Sequence, residues 1–225
     1  MNTNAANVVS AALAAAAISA AAGAGVIVYE QDFSNPATLG WQLGGQNTSY
    51  TEALGAFSKR NGNNEVTLTV NTMQNETYTL VFDLYLFDSW SGNSSRWGQN
   101  TFTVRAEGHE IMRETFSNTG DPSSQSYAGS PDVLGQLGFG AGDDSVYRNI
   151  TLTFNGRNPS VTLRFMGQGL GQLSDNSWAL DNVRVYQGAA PQPMVPAPAG
   201  LALLSAGGLF AARRRRREAT ARRSD

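Results

Sequence analysis

The chain has 225 residues, is 41% hydrophobic and 15% charged, and carries a formal net charge of −2. It contains no cysteine and a single histidine, His109, which excludes a disulfide framework, thiolate or histidine-rich metal sites and a cysteine nucleophile. The charge averages unlike parts: the last thirteen residues hold seven arginines against Glu218 and Asp225, leaving nine basic and sixteen acidic groups in residues 1–212. An acidic body with one lysine, Lys59, offers no footprint for nucleic acid.

Along the chain, Val8–Ala24 is uncharged and alanine-rich and ends in Ala22-Gly23-Ala24. A small-x-small end on such a run predicts a secretory signal over residues 1–24, an apolar helix removed near Ala24. Met1–Asn7 lacks the basic residues usual ahead of such a run.

Residues 25–190 carry a period of two, predicting an all-β domain. Val66, Leu68 and Val70 alternate with threonines in Glu65–Val70. In Thr77–Phe87 one face is Tyr78, Leu80, Phe82, Leu84 and Leu86, and the other ends in Tyr85 and Phe87, so both sides are expected to be covered at the far end. Thr101–Arg105, Glu110–Phe116, Asn149–Phe154 and Val161–Phe165 alternate likewise, with turn clusters such as Asn61–Asn64, Ser91–Ser95 and Asn155-Gly156 between them. Short strands at this spacing predict an antiparallel β-sandwich of jelly-roll type. Gln125–Asp144, rich in Gly, Ser and Asp, is expected to be a long loop over one end of the sandwich.

Asp88 falls at a strand end beside the turn Ser91–Asn93, where it either caps the turn or contacts a ligand. Asp83 and Asp88 are five apart, on opposite strand faces, and cannot pair as acid and base. Trp90 and Trp97 flank this polar turn, a place suited to stacking sugar rings, although tryptophans in β-sandwiches are more often core. Asp88, Trp90, Asn93 and Trp97 are therefore candidate ligand-binding residues. Asp143-Asp144 and Asp175-Asn176 read as solvated turns, and His109 as an exposed turn residue. In the closing strand, strict alternation puts Asp181 on the face of Val183 and Val185, pointing inward. A buried carboxylate there must accept backbone N–H bonds or meet a cation.

Pro191–Pro198 is a proline-rich break. Ala199–Ala212 follows, fourteen residues without charge, about 21 Å long as a helix at ~1.5 Å per residue and shorter than the ~20 residues of a stable membrane span. Arg213, Arg214, Arg215, Arg216 and Arg217 come next and belong on the cytoplasmic side. This order over residues 191–225, with Val195-Pro196-Ala197-Pro198-Ala199 at its head, resembles the PEP-CTERM sorting signal in its Val-Pro-x-Pro-Ala form. The resemblance implies recognition by an exosortase in the inner membrane of a Gram-negative bacterium, transient anchoring there, and delivery to the cell surface or matrix.

Phe82–Asn93, Thr115–Asn118 and Ser174–Val185 are similar to a β-sandwich domain of exported PEP-CTERM proteins, with Ser91, Asn100 and Ala179 at positions where that family usually has Asp, Asp and Gly. The wider resemblance is to concanavalin-like and carbohydrate-binding jelly rolls. It implies polysaccharide as a partner and a structural calcium held by the counterparts of Asp181 and of Glu30 or Asp32. The resulting expectation is an exported, non-catalytic surface or matrix protein, with a calcium-stabilised carbohydrate-binding module as the alternative and a two-carboxylate glycoside-active enzyme as a minor one. An ice-binding surface is a further minor reading, weakened by the lack of a repeated Thr-x-Thr ladder.

Overall fold

The computed structural model describes residues 25–34, 41–43, 49–50, 53–59, 64–94, 96, 98–137 and 142–191. The signal segment, the sorting motif from Val195 to Ala199 and the arginines Arg213–Arg217 lie outside the described residues, as does Trp97. The compact unit described here falls within Met1–Ala190. Among the described residues no helix is long and apolar enough to cross a membrane.

Twelve strands follow in chain order: β1 (Val26–Gln31), β2 (Trp41–Leu43), β3 (Ser49–Tyr50), β4 (Ala53–Phe57), β5 (Glu65–Asn71), β6 (Thr77–Asp88), β7 (Thr101–Ala106), β8 (His109–Thr115), β9 (Val133–Gly135), β10 (Asp144–Asn155), β11 (Ser160–Gln168) and β12 (Asn176–Gln187). One sheet runs β3-β4-β12-β6-β10-β9, with β1 also paired to β12; the other runs β2-β5-β11-β7-β8. The strand pairings are antiparallel. With β1-β12-β6-β10 facing β5-β11-β7-β8, successive strands mostly cross between sheets, the order of a jelly roll.

The alternation explains the packing. Leu80, Phe82, Leu84 and Leu86 of β6 meet Val104 of β7 and Leu163 and Phe165 of β11 in one core, all without measurable exposure. Ring contacts join the sheets: Phe82 lies 5.5 Å from Phe165, and Phe102 lies 5.0 Å from Trp178, both edge-on. Such pairs add roughly 0.5–1.5 kcal/mol beyond area burial. The outer face of β6 is covered at its far end too, where Phe87 packs with Ala53, Ala56 and Ala179, and Tyr85 and Leu173 join them.

Two of the sheet's register shifts flank Asp83 and depart from strict alternation. The β12–β6 register shifts between Asp181 and Arg184, and the β10–β6 register shifts between Tyr147 and Ile150. In each, an asparagine takes a left-handed conformation, Asn182 at φ 50° and Asn149 at φ 54°. A bulge inserts an extra residue and changes which parity faces the core. Hence Trp178 and Leu180 point inward before the bulge and Val183 and Val185 after it, all fully buried. Asp181 therefore does not share the valine face: it is half-buried, paired across the sheet with Asp83, and accepts from the N–H and side-chain amide of Asn182. Asp83 is held between the two bulges by Asn149 N–H at 2.8 Å and Asn182 Nδ2 at 2.9 Å.

The stretch expected as a long loop carries strand structure among its described residues. It contains β9, which pairs with the start of β10, and follows a short 3-10 turn at Pro122–Ser124 capped by Asp121.

Candidate functional site

A cleft of about 600 Å3 opens at the end of β6, where four chain segments meet. Its carboxylates are Asp88, Asp143 and Asp175; Asn118 and Asn176 supply amides, and Ser89, Ser91 and Thr119 supply hydroxyls. The volume lies within the roughly 300–1,000 Å3 of small-molecule sites. No basic side chain is among its described lining residues.

Asp88 is the innermost carboxylate, 3% exposed. Its backbone is left-handed, at φ 62°, a conformation uncommon outside glycine that Asp and Asn tolerate best. This turn ends the strand and lets the chain enter the wall of the cleft. The backbone N–H of Asp88 donates to Asp144 Oδ1 at 2.9 Å, and Asp88 Oδ1 accepts from Gly142 N–H at 3.2 Å. Gly142 makes this approach close: a Cβ there would lie 3.1 Å from Asp88 Cα, tighter than an ordinary contact. Asp88 Oδ2 is buried with no hydrogen-bond partner among the described residues. Burial pushes the Asp88 carboxyl above its ordinary value, the Gly142 N–H offsets this in part, and the negative charges of Asp144 and Asp175 push it further up.

Asn118 ties the site together. Its side-chain amide donates to the carbonyls of Leu86, Asp88 and Asp143, and its Oδ1 accepts from Ser145 Oγ at 2.6 Å. Asp144 is fully buried, with Oδ1 on Asp88 N–H and Oδ2 on Leu137 N–H. On the opposite wall the Asp175 carbonyl accepts from Ser89 N–H at 2.8 Å, while the Asp175 side chain is exposed.

The candidate ligand residues divide. Asp88 and Trp90 line the cleft. Trp90 is 1% exposed, and its Nε1 donates to the Ser177 carbonyl at 2.8 Å. The expectation of an exposed stacking face at Trp90 is thus corrected: the indole is packed in the hydrophobic core with its N–H satisfied by a backbone carbonyl. Asn93 is exposed and braces β8 through Thr115 Oγ1 at 2.6 Å; it is not among the described lining residues.

The three residues implied as calcium ligands are each engaged locally. Glu30 accepts from Arg184 Nε at 2.9 Å, Asp32 accepts from Ser34 N–H and Oγ, and Asp181 accepts from Asn182. The Ser34 bonds hold the Asp32 carboxyl below its ordinary value. Among the described residues no group of three or more His, Asp or Glu is placed to hold a metal ion.

Sequence reasoning missed Asn118, Asp143, Asp144, Asp175 and Asn176 as site residues. Asp144 and Asn176 are buried rather than solvated. A faint signal existed for Asp144, a carboxylate at the first position of β10.

These features define an antiparallel two-sheet β-sandwich with an acidic cleft at one strand end. No protein-family model matches the sequence, and no curated protein matches it. Among solved structures, a family 35 carbohydrate binding module from Clostridium thermocellum is similar over 71% of this chain and 98% of its own, at 14% identity and a TM-score of 0.39. The CBM27-1 module of Caldicellulosiruptor saccharolyticus, solved with mannohexaose, is similar over 73% and 98%, at 15% identity and TM-score 0.39. Dimeric latent PorU from Porphyromonas gingivalis is similar over 76% of this chain at 18% identity and TM-score 0.38, and this chain spans only 14% of PorU's length.

Proposed function

We propose that this chain is an exported, exosortase-sorted protein of the cell surface or extracellular matrix, whose β-sandwich binds polysaccharide in the Asp88 cleft without catalysing a reaction. The observation that carries the binding half is the cleft itself: a concave site of sugar-contacting size, walled by carboxylates, amides and hydroxyls, with one buried carboxylate oxygen unmatched among the described residues. Sugars present many hydroxyl donors, and such acceptors fix their orientation. Asp144, whose two oxygens each accept from a backbone amide, is not available to Asp88 as the second carboxylate of a glycosidase pair. Export and sorting rest on the terminal sequence patterns: the alanine-rich start, the proline motif, and the arginine cluster.

The experiment is a glycan array probed with the full chain and with Asp88→Asn. Specific binding that the variant weakens supports the reading, and uniform absence of binding overturns it. Cell fractionation of tagged protein with and without residues 195–225 tests sorting. Full-length protein that stays cytosolic and soluble overturns that half.

A further inference from the structure

We infer that the cleft selects glycans carrying a positive charge, specifically amino sugars whose amine is free rather than acetylated. This deepens the polysaccharide reading and rests on it. Asp88, Asp143 and Asp175 share one cleft, and no lysine or arginine is among its described lining residues. The Asp143 and Asp175 side chains are exposed at the mouth, while Asp88 is 97% buried in the wall with Oδ2 unpartnered among the described residues. A buried carboxylate without a full set of donors is costly, and a cation brought close relieves that cost.

The kind of cation follows from ligand demand. Calcium takes six to eight oxygens, and Asp88, Asp143 and Asp175, though they line one cleft, do not form a group placed to hold a metal ion. A primary ammonium offers three donors on one point charge, which two carboxylates at the mouth and the field of a third are enough to hold. The same carboxylates repel uronic acids, so the cleft discriminates by repulsion as well as attraction.

The test measures binding of the full chain, in buffer with a chelator, to immobilised β-linked glucosamine oligomer, its N-acetylated form, a neutral glucan and a polyuronate. Expected is binding to the glucosamine oligomer that weakens about tenfold or more on N-acetylation, the scale of one charge-assisted contact. Asp175→Asn and Asp143→Asn should each reproduce that weakening, with unchanged thermal melts showing that the sandwich is intact. Equal binding to the neutral glucan, or preference for the polyuronate, overturns the charge selection while leaving polysaccharide binding standing. Binding that appears only on adding calcium, whether or not the amine is free, assigns the charge to a metal and also overturns it. No binding to any glycan removes both readings.

Discussion

Asp88 combines three costs at one position: a left-handed backbone, a buried carboxyl, and like charges nearby. Residues held in sparsely populated conformations persist where the surroundings over-determine them, often at functional sites. The pH dependence of folding should report this. Folding raises the Asp88 carboxyl, so between the ordinary value and the raised one the native state holds more proton than the unfolded state. Its contribution to stability is therefore fully present below the ordinary carboxylate value and is lost as pH rises through the raised one. Urea melts of wild type and Asp88→Asn across acidic to neutral pH should differ by an amount that shifts in wild type's favour as pH falls. A constant difference would show that Asp88 titrates normally. Asn118 makes the complementary case. Its amide serves three carbonyls, and Asn118→Ala removes those bonds and the acceptor of Ser145 Oγ, leaving the Asp88 carbonyl with Trp90 N–H alone. At about 1–3 kcal/mol for a buried group left unpaired, the variant should lose roughly 3 kcal/mol by denaturant melting, and a loss below about 0.5 kcal/mol would refute the clamp.

Strands were the most legible feature of the sequence, and the bulges the least. Val66-Thr-Leu-Thr-Val70 alternates with little ambiguity, and β5 follows it. The closing strand does not, because one asparagine in the left-handed region reverses the parity of all that follows. Nothing in the letters Asp181-Asn182 distinguishes a bulge from an ordinary strand pair; only the inward demands of Leu180 and Val183 together require it. The cleft was legible only at Asp88 and Trp90 for a related reason. Its walls come from residues 88–91, 118–119, 142–143 and 175–176, brought together by strand order rather than by sequence proximity. A substitution pair at Asn182 separates bulge from strand. In a regular strand Val outperforms Gly, whereas at φ 50° a β-branched residue is strongly disfavoured. Asn182→Val should therefore destabilise more than Asn182→Gly in thermal melts, even though both lose the contact to Asp83. The reverse order would mean that β12 runs without the bulge.

The whole molecule is organised by charge as much as by packing. Residues 1–212 hold nine basic against sixteen acidic groups, while the last thirteen hold seven arginines against two acids. An acidic sandwich suits both halves of the proposal: it repels polyanions and favours a cationic glycan, and its own like charge opposes self-association. In the proposed sorting the arginine cluster has a different task, to hold the chain's end on the cytoplasmic side while the body is delivered. If an exosortase cuts near Pro196, both halves of the charge asymmetry are separated physically, and the exported product loses seven arginines with only Glu218 and Asp225. Expression of the chain in a host with an exosortase, and in the same host lacking it, should then give two species on isoelectric focusing. The processed one runs at the lower isoelectric point, shifted by the loss of five net positive charges, and is smaller on a gel. A single species of the same isoelectric point and mass in both hosts would overturn the cleavage. Under the proposed sorting, replacing Arg213–Arg217 with serines should instead let uncut protein pass the membrane, because the charge assigned to holding the end inside is gone.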